Sequence, residues 1–229
     1  MVEQTVSASP QVPEPAKPHL PKILVKWLRF RDHFSFTRPL ISLVLGLKGG
    51  GKSSLLECLA TRYSKIFDLY GSSDCEGLAW CKPEFIELFK SLHGKDPRIL
   101  LITGKGRDVA SKFETKKVSD ITIETFEDYD IIICVYRFFA DEDEYFDSLF
   151  KIVNMLWQER IAWTEPWYVL IREASNWLYS RMKIVRDDKM AKADFIRTLR
   201  EMRHHGIAVG VDTIRWTSLD KEIRDTADF

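Results

Sequence analysis

The sequence lacks an excess of charge of either sign and a cysteine framework. Its 34 lysines and arginines balance 34 aspartates and glutamates, so net charge provides no general attraction to nucleic acid or to a membrane surface. The four cysteines, Cys58, Cys75, Cys81 and Cys134, have no CxxC spacing and no adjacent histidine. We therefore expect reduced, mostly buried thiols and no zinc site. Any DNA contact must come from local patches or from assembly into a ring.

Long apolar segments are missing as well. No apolar run approaches the ~18 residues that a membrane-spanning helix needs, and the N-terminus has no apolar signal core. We expect a soluble, cytoplasmic protein without a membrane span. A hydrophobic content of 45% in 229 residues nevertheless suits one sizeable α/β domain with a real core.

Composition divides the chain into three parts. Residues 1–21 contain repeated prolines and few large apolar groups, which predicts a disordered or polyproline-like tail. Residues 22–39 mix aromatic and basic side chains, and we expect a segment that covers the core or contacts a subunit, with nucleic-acid contact as the alternative. Residues 40–229 form the main domain. A new apolar segment starting near Thr226 suggests a truncated or unusually minimal domain.

Residues 40–54 are the centre of the main domain, because an apolar strand leads into a glycine turn and a helix start. Residues 46–53, here called the phosphate loop, match G-x-x-x-x-G-K-[ST]. Its glycines allow backbone N–H groups to surround a phosphate, Lys52 supplies a cation, and Ser53 offers a hydroxyl to Mg²⁺. The expected nucleotide-binding residues are Gly46, Lys48, Gly49, Gly50, Gly51, Lys52, Ser53 and Ser54. ATP is favoured over GTP because no Asn/Thr-Lys-x-Asp stretch for base recognition is present.

Strand and helix patterns alternate through the main domain. Apolar runs predict strands at 40–45, 66–70, 98–103, 130–135, 167–171 and 207–212, and helical spacing predicts helices at 53–66, 84–93 and 141–160. This alternation predicts an α/β fold with a mainly parallel sheet covered by helices on both faces. The acids at 141–144 are expected to cap a helix, not to bind metal. Residues 105–117 carry five basic and two acidic side chains, which indicates either a solvated loop or a loop facing phosphate or DNA.

Hydrolysis needs an acid that polarises water and a cation that stabilises the transferring phosphoryl group. Glu173, directly after a buried strand, is the candidate acid. Arg172 precedes it, where most phosphate-loop ATPases have an aspartate that contacts Mg²⁺ through water. Either another acid such as Asp212 or Asp74 takes that place, or hydrolysis is weak. Three arginines are candidates for charge stabilisation: Arg200, Arg203 and Arg215.

The phosphate loop, the strand end 170–174 and residues 199–224 together resemble the FtsK/HerA superfamily of DNA-pumping ATPases, especially packaging ATPases of archaeal and membrane-containing viruses. Residues 200–206 look like the family's R-x-x-R-H-x-G helix end, and 213–215 like its sensor T-Q-R. Ile214 replaces the usual glutamine there, which leaves Thr213 or Arg215 to sense the γ-phosphate.

The resemblance implies a phosphate-loop nucleoside triphosphatase fold of the RecA/ASCE type that hydrolyses ATP with Mg²⁺. It also implies a homo-hexameric ring with ATP at the subunit interfaces, an arginine supplied by the neighbouring subunit, and double-stranded DNA in the pore. The expected function is packaging of a viral or mobile-element genome, with capsid or portal-like partners, in the host cytoplasm or the virion.

Two other functions remain open. One is nucleotide-dependent assembly or export without DNA translocation, as in the zonula-occludens-toxin-like proteins of filamentous phages. The other is a small-molecule kinase, which ranks last because no acceptor site or lid signature is evident.

Overall fold

The computed structural model of the chain describes residues 39–70, 76–104, 114–158, 165–176, 178 and 196–228. Several sequence predictions fall outside these residues. They concern the tail 1–21, all but the last residue of the segment 22–39, Asp74, Cys75 and the basic residues 105–113.

A parallel sheet is the centre of the fold. The described strands are β1 (Ile41–Leu45), β2 (Lys65–Tyr70), β3 (Ile99–Thr103), β4 (Glu114–Lys117), β5 (Ile131–Cys134), β6 (Trp167–Ile171) and β7 (Ile207–Thr213). Their order across the sheet is β1-β7-β6-β2-β5-β3-β4, and every described pairing is parallel. The predicted α/β fold with a parallel sheet is confirmed. All these strands therefore end at one edge of the sheet, which we call the carboxyl edge, and begin at the opposite amino edge.

Helices lie on both faces of the sheet. They are α1 (Lys52–Ala60), α2 (Pro83–His93), α3 (Ile123–Asp128), α4 (Glu142–Gln158), α5 (residues 196–202) and α6 (Lys221–Thr226). Successive residues of a strand point to opposite faces, so each central strand contributes to two cores. Ile131 and Ile133 of β5 belong to the core that contains Leu56 of α1 and Phe89 of α2. The intervening Ile132 belongs to the core of α3 and α4.

Three boundaries differ from the sequence predictions. The first helix ends at Ala60 instead of Ile66, because Lys65 already begins β2 and the Ile66 N–H donates to the Asp130 carbonyl at 2.8 Å. The end of the predicted loop 105–117 is strand β4, paired with β3. The apolar segment expected from Thr226 is instead the end of α6, after which Asp228 and Ile41 exchange hydrogen bonds of 2.8 Å.

Other local predictions are met. The Asp141 carboxylate accepts the Glu144 N–H at 2.8 Å at the start of α4, which confirms the predicted capping role for this acid. Cys58 and Cys134 are buried. Across the described residues, none of the helices is both long and apolar enough to span a membrane.

Candidate active site

The phosphate loop connects β1 to α1 at the carboxyl edge. Gly49 and Gly51 have φ angles of 78° and 82°, in the left-handed region where a Cβ atom is strongly disfavoured. The loop is closed by the Gly50 N–H, which donates to the Leu47 carbonyl at 3.0 Å. The glycines at these positions are therefore required by the backbone path itself.

The N-terminus of α1 is arranged to receive an anion. Gly51 is its N-cap, and in this described segment no side chain caps the helix and no acid lies in its first turn. The first N–H groups of a helix have no partner within the helix and carry the positive end of its dipole. A phosphate group is the usual ligand of such an end when a glycine-rich loop precedes it.

Lys52 provides a cation beside this helix end. Its side chain is largely buried, and Nζ donates to the Leu47 carbonyl at 3.3 Å, so the ammonium group lies against the phosphate loop. Lys48 is exposed on the loop. Ser53 and Ser54 lie in the first turn of α1, which is where the sequence predicts contacts with phosphate and metal.

Strand order determines which side chains face the phosphate loop. Strand β7 lies between β1 and β6, and Val44 of β1 is in register with Asp212 of β7. The fully buried Asp212 carboxylate accepts the Ser53 hydroxyl at 3.5 Å through Oδ2 and the Glu173 N–H through Oδ1. The structure thus brings Ser53, Asp212 and Glu173 together at the carboxyl edge.

Glu173 has an unusual backbone conformation. Its φ angle is 47°, and it is the only residue other than glycine with a positive φ in the described chain. Such a conformation costs on the order of 1–3 kcal/mol and is found preferentially at functional sites. Its side chain is half-buried directly beyond β6, in the position from which the sequence predicts activation of water.

Arg172 is fully buried and is bound by two acids. Its Nη2 lies 2.7 Å from Asp68 Oδ2 and 2.8 Å from Glu57 Oε1, and its Nε also donates to Asp68. The Trp80 indole donates to Asp68 Oδ2 at 2.8 Å. These residues, Arg172, Asp68 and Glu57, are called the buried ion cluster below. Asp68 follows the apolar residues Ile66 and Phe67 in β2. A carboxylate in such a strand is the feature of the sequence from which a buried cation could have been predicted.

The pKa values of Arg172 and Asp212 are both raised, but for different reasons. Burial alone would lower the pKa of Arg172, but the charges of Asp68 and Glu57 outweigh it and raise this pKa above its ordinary value. Burial raises the pKa of Asp212, an effect opposed by the Glu173 N–H and by the charges of Arg172 and Lys52. The arginine therefore stays charged, with its charge compensated inside the protein.

The three candidate arginines occupy different places. Arg215 is exposed just after β7, and its N–H donates to Thr213 Oγ1 at 3.3 Å, so it lies at the carboxyl edge. Arg203 lies before β7 and contacts Asp228 at 3.4 Å, at the amino edge. Arg200 is exposed on α5 beside Glu201. Since β7 spans seven residues, the two edges are roughly 20 Å apart, and the structure does not bring Arg203 to the phosphate loop of its own chain.

Comparisons with known proteins are limited to solved structures, since neither the scan of protein-family models nor the search of the curated proteins finds a match. The chain is similar to the genome packaging NTPase B204 from Sulfolobus turreted icosahedral virus 2 in complex with AMP, at 18% identity and a TM-score of 0.35, covering 73% of each chain. It is similar to B204, the DNA-packaging ATPase from Sulfolobus Turreted Icosahedral Virus, at 19% identity and a TM-score of 0.38, covering 73% of this chain and 74% of that one.

A third similar structure is a chain of the E. coli MS115-1 HORMA:CdnC:Trip13 complex, at 16% identity and a TM-score of 0.32, covering 76% of this chain and 57% of that one. The TM-scores of these three similar structures lie between 0.32 and 0.38.

Proposed function

We propose that this protein binds ATP with Mg²⁺ at the phosphate loop, hydrolyses it, and uses the energy to move double-stranded DNA during packaging of a viral or mobile-element genome. The observation that carries the ATPase proposal is a single juxtaposition. The uncapped N-terminus of α1, the ammonium of Lys52 and the acids Asp212 and Glu173 meet at the carboxyl edge of a parallel sheet. Open α/β sheets bind their ligands at this edge.

The triphosphate is held by the phosphate loop. Backbone N–H groups of the loop and of the first turn of α1 surround the β-phosphate, and Lys52 neutralises charge on the β- and γ-phosphates. Gly49 and Gly51 have the left-handed backbone from which anion-binding loops of this kind are built.

The donor set beside the loop fits Mg²⁺. The Ser53 hydroxyl is an oxygen ligand with the Asp212 carboxylate beside it, and Mg²⁺ prefers one or two protein oxygens together with phosphates and water. Among the described residues, no group of three or more histidine, cysteine, aspartate or glutamate side chains could hold a metal ion. When bound with ATP, the ion neutralises charge that develops on the phosphate oxygens.

Glu173 is the residue that activates the attacking water. Its N–H is fixed by the Asp212 carboxylate, and its backbone turns directly after β6, so the position of its side chain is set by two strands of the sheet. A carboxylate in this place accepts a hydrogen bond from the water and orients it toward the γ-phosphate.

Charge on the transferring phosphoryl group is stabilised by arginine. Arg215 is the candidate within the same chain because it follows β7 at the carboxyl edge. Arg203, at the amino edge, can act only on a nucleotide held by a neighbouring subunit, and Arg200 is grouped with it as a candidate of that kind. An arginine supplied by a neighbour is worth about 10³–10⁵ in rate where it has been measured.

The motor part of the proposal rests on the resemblance of the phosphate loop and residues 199–224 to FtsK/HerA ATPases. It implies a homo-hexamer that holds duplex DNA in its pore and contacts capsid or portal-like proteins. DNA would be held through its phosphates, so binding should be independent of sequence and weakened by salt. The alternative is a nucleotide-dependent assembly or export protein, favoured by the balanced charge of 34 basic and 34 acidic residues, which provides no general attraction to DNA.

Steady-state ATP hydrolysis by the full chain, with and without long duplex DNA at two salt concentrations, tests the proposal. We expect hydrolysis that DNA stimulates, with stimulation that fades as salt rises. Lys52→Ala should abolish binding or turnover, whereas Lys90→Ala, which removes an exposed lysine of α2, should leave both unchanged. Unchanged hydrolysis in Lys52→Ala would overturn the phosphate-loop assignment. A rate of hydrolysis that is the same with and without duplex DNA would favour the assembly function.

A further inference from the structure

The arginine at position 172 cannot supply the carboxylate that a bound Mg²⁺ usually finds at the end of this strand. Its guanidinium is fully buried and is bound by Asp68 and Glu57 at distances of 2.7 and 2.8 Å. The buried ion cluster therefore pairs these three charged side chains with one another.

Asp212, on the neighbouring strand β7, places a carboxylate beside Ser53, which position 172 does not do. It is adjacent to β1 through the pair Val44–Asp212, and its Oδ2 accepts the Ser53 hydroxyl at 3.5 Å. Its other oxygen accepts the Glu173 N–H. The Asp212 carboxylate thus contacts both Ser53, whose hydroxyl is the predicted metal ligand, and the backbone of Glu173, the predicted catalytic acid.

We propose that Asp212 of β7 replaces the missing acid at position 172 as the carboxylate on the metal side of the ATP site, and that Arg172 has become a structural residue. This inference rests on the proposed function, because it concerns the Mg²⁺ that accompanies ATP. Asp212 acts either by orienting the Ser53 hydroxyl or by accepting a water molecule of the ion. Carboxylates that act in these ways strengthen metal binding by about 10–100-fold.

Other acids lie near the site. Asp68 and Glu57 bind Arg172, and Glu173 lies in the turn directly after β6 with a positive φ. Among the described acids, Asp212 is the one whose carboxylate accepts a hydrogen bond from Ser53.

The experiment measures binding of a non-hydrolysable ATP analogue to the full chain by calorimetry, once with Mg²⁺ and once with EDTA. The readout is the ratio of the two dissociation constants, which a general loss of stability does not change. Wild-type protein should bind more tightly with Mg²⁺. In Asp212→Asn, which keeps the shape of the side chain, we expect this ratio to fall by about 10–100-fold. Binding in EDTA should be unchanged or tighter, since a negative charge near the phosphates is removed.

Asp228→Asn is the matched control, because Asp228 is a hydrogen-bonded acid at the amino edge, and it should keep the wild-type ratio. If Asp212→Asn fails to fold, Asp212→Ser gives the same test with a small, uncharged polar side chain. A wild-type ratio in the folded Asp212 variant would overturn the inference, as would the absence of a Mg²⁺ effect on the wild type. If the wild type bound no nucleotide at all, the proposed function itself would fail.

Discussion

Replacing Arg172 by methionine should lower the free energy of unfolding far more than the same replacement of an exposed lysine whose ion pair is equally short. Methionine is long and flexible enough to fill most of the vacated volume, so the main effect is electrostatic. The substitution leaves Asp68, with no exposed surface, and Glu57, with a side chain only 9% exposed, as buried carboxylates without their cation. Removing one partner of a buried ion pair costs about 3–5 kcal/mol of unfolding free energy.

The exposed pair Lys90–Asp96 provides the comparison. Its N–O distance of 2.8 Å equals that between Arg172 and Glu57, but its side chains are 59% and 65% exposed. Water and salt screen such a pair, so Lys90→Met should cost at most about 1 kcal/mol. The contrast between the two variants therefore depends on burial and not on distance.

Urea unfolding followed by far-ultraviolet circular dichroism gives the free energies, and a thermal melt gives a second estimate. For a domain of this size, about 3–5 kcal/mol corresponds to a fall in Tm of roughly 6–20 °C. Neutralising both acids as well, in Arg172→Met with Asp68→Asn and Glu57→Gln, should recover part of the loss. Equal and small losses in the Arg172 and Lys90 variants would refute the reasoning, because the buried acids would then need no cation.

Two further substitutions test the site directly. Glu173→Gln should retain ATP binding and lose turnover, because the amide cannot polarise water as a carboxylate does; hydrolysis at the wild-type rate would place the catalytic acid elsewhere. Gly49→Ala and Gly94→Ala introduce a Cβ at φ angles of 78° and 73° with no atom within 4 Å, so each should lose about 1–2 kcal/mol of unfolding free energy. Only the Gly49 variant, at the phosphate loop, should also bind nucleotide more weakly in a titration, and equal binding by both variants would contradict the placement of the loop.

Much of the sheet was predictable from the sequence because its central strands are buried on both faces. Strands β3, β5 and β6 are buried at every position, which requires continuous apolar runs that local sequence reveals. Strand β4 was not predicted because it is short, charged and mostly exposed, and it is the outermost strand of the sheet. It has no apolar face that the sequence could reveal. Its pairing with β3 depends on tertiary structure alone.

The position of the phosphate loop between β1 and α1 was predictable for the opposite reason, since its pattern lies within eight consecutive residues. Its binding of phosphate stays a prediction. The environment of Arg172 was not predictable, because its partner Asp68 is 104 residues away in the chain. The proximity of Asp212 to Ser53 likewise depends on β7 lying between β1 and β6. Sequence reasoning named Asp212 as one possible acid, and strand order places it beside Ser53. Its role at the metal stays a prediction.

The buried ion cluster constrains the order in which mutations can accumulate in this protein. A single change of Arg172 to aspartate would place three carboxylates in the interior, at positions 57, 68 and 172, without a compensating cation. Burying unpaired charge costs several kcal/mol, a large share of the 5–15 kcal/mol that stabilises a typical domain. An ancestor or descendant with aspartate at this position would therefore need neutral residues at 57 and 68 as well, so the three positions should change together or not at all.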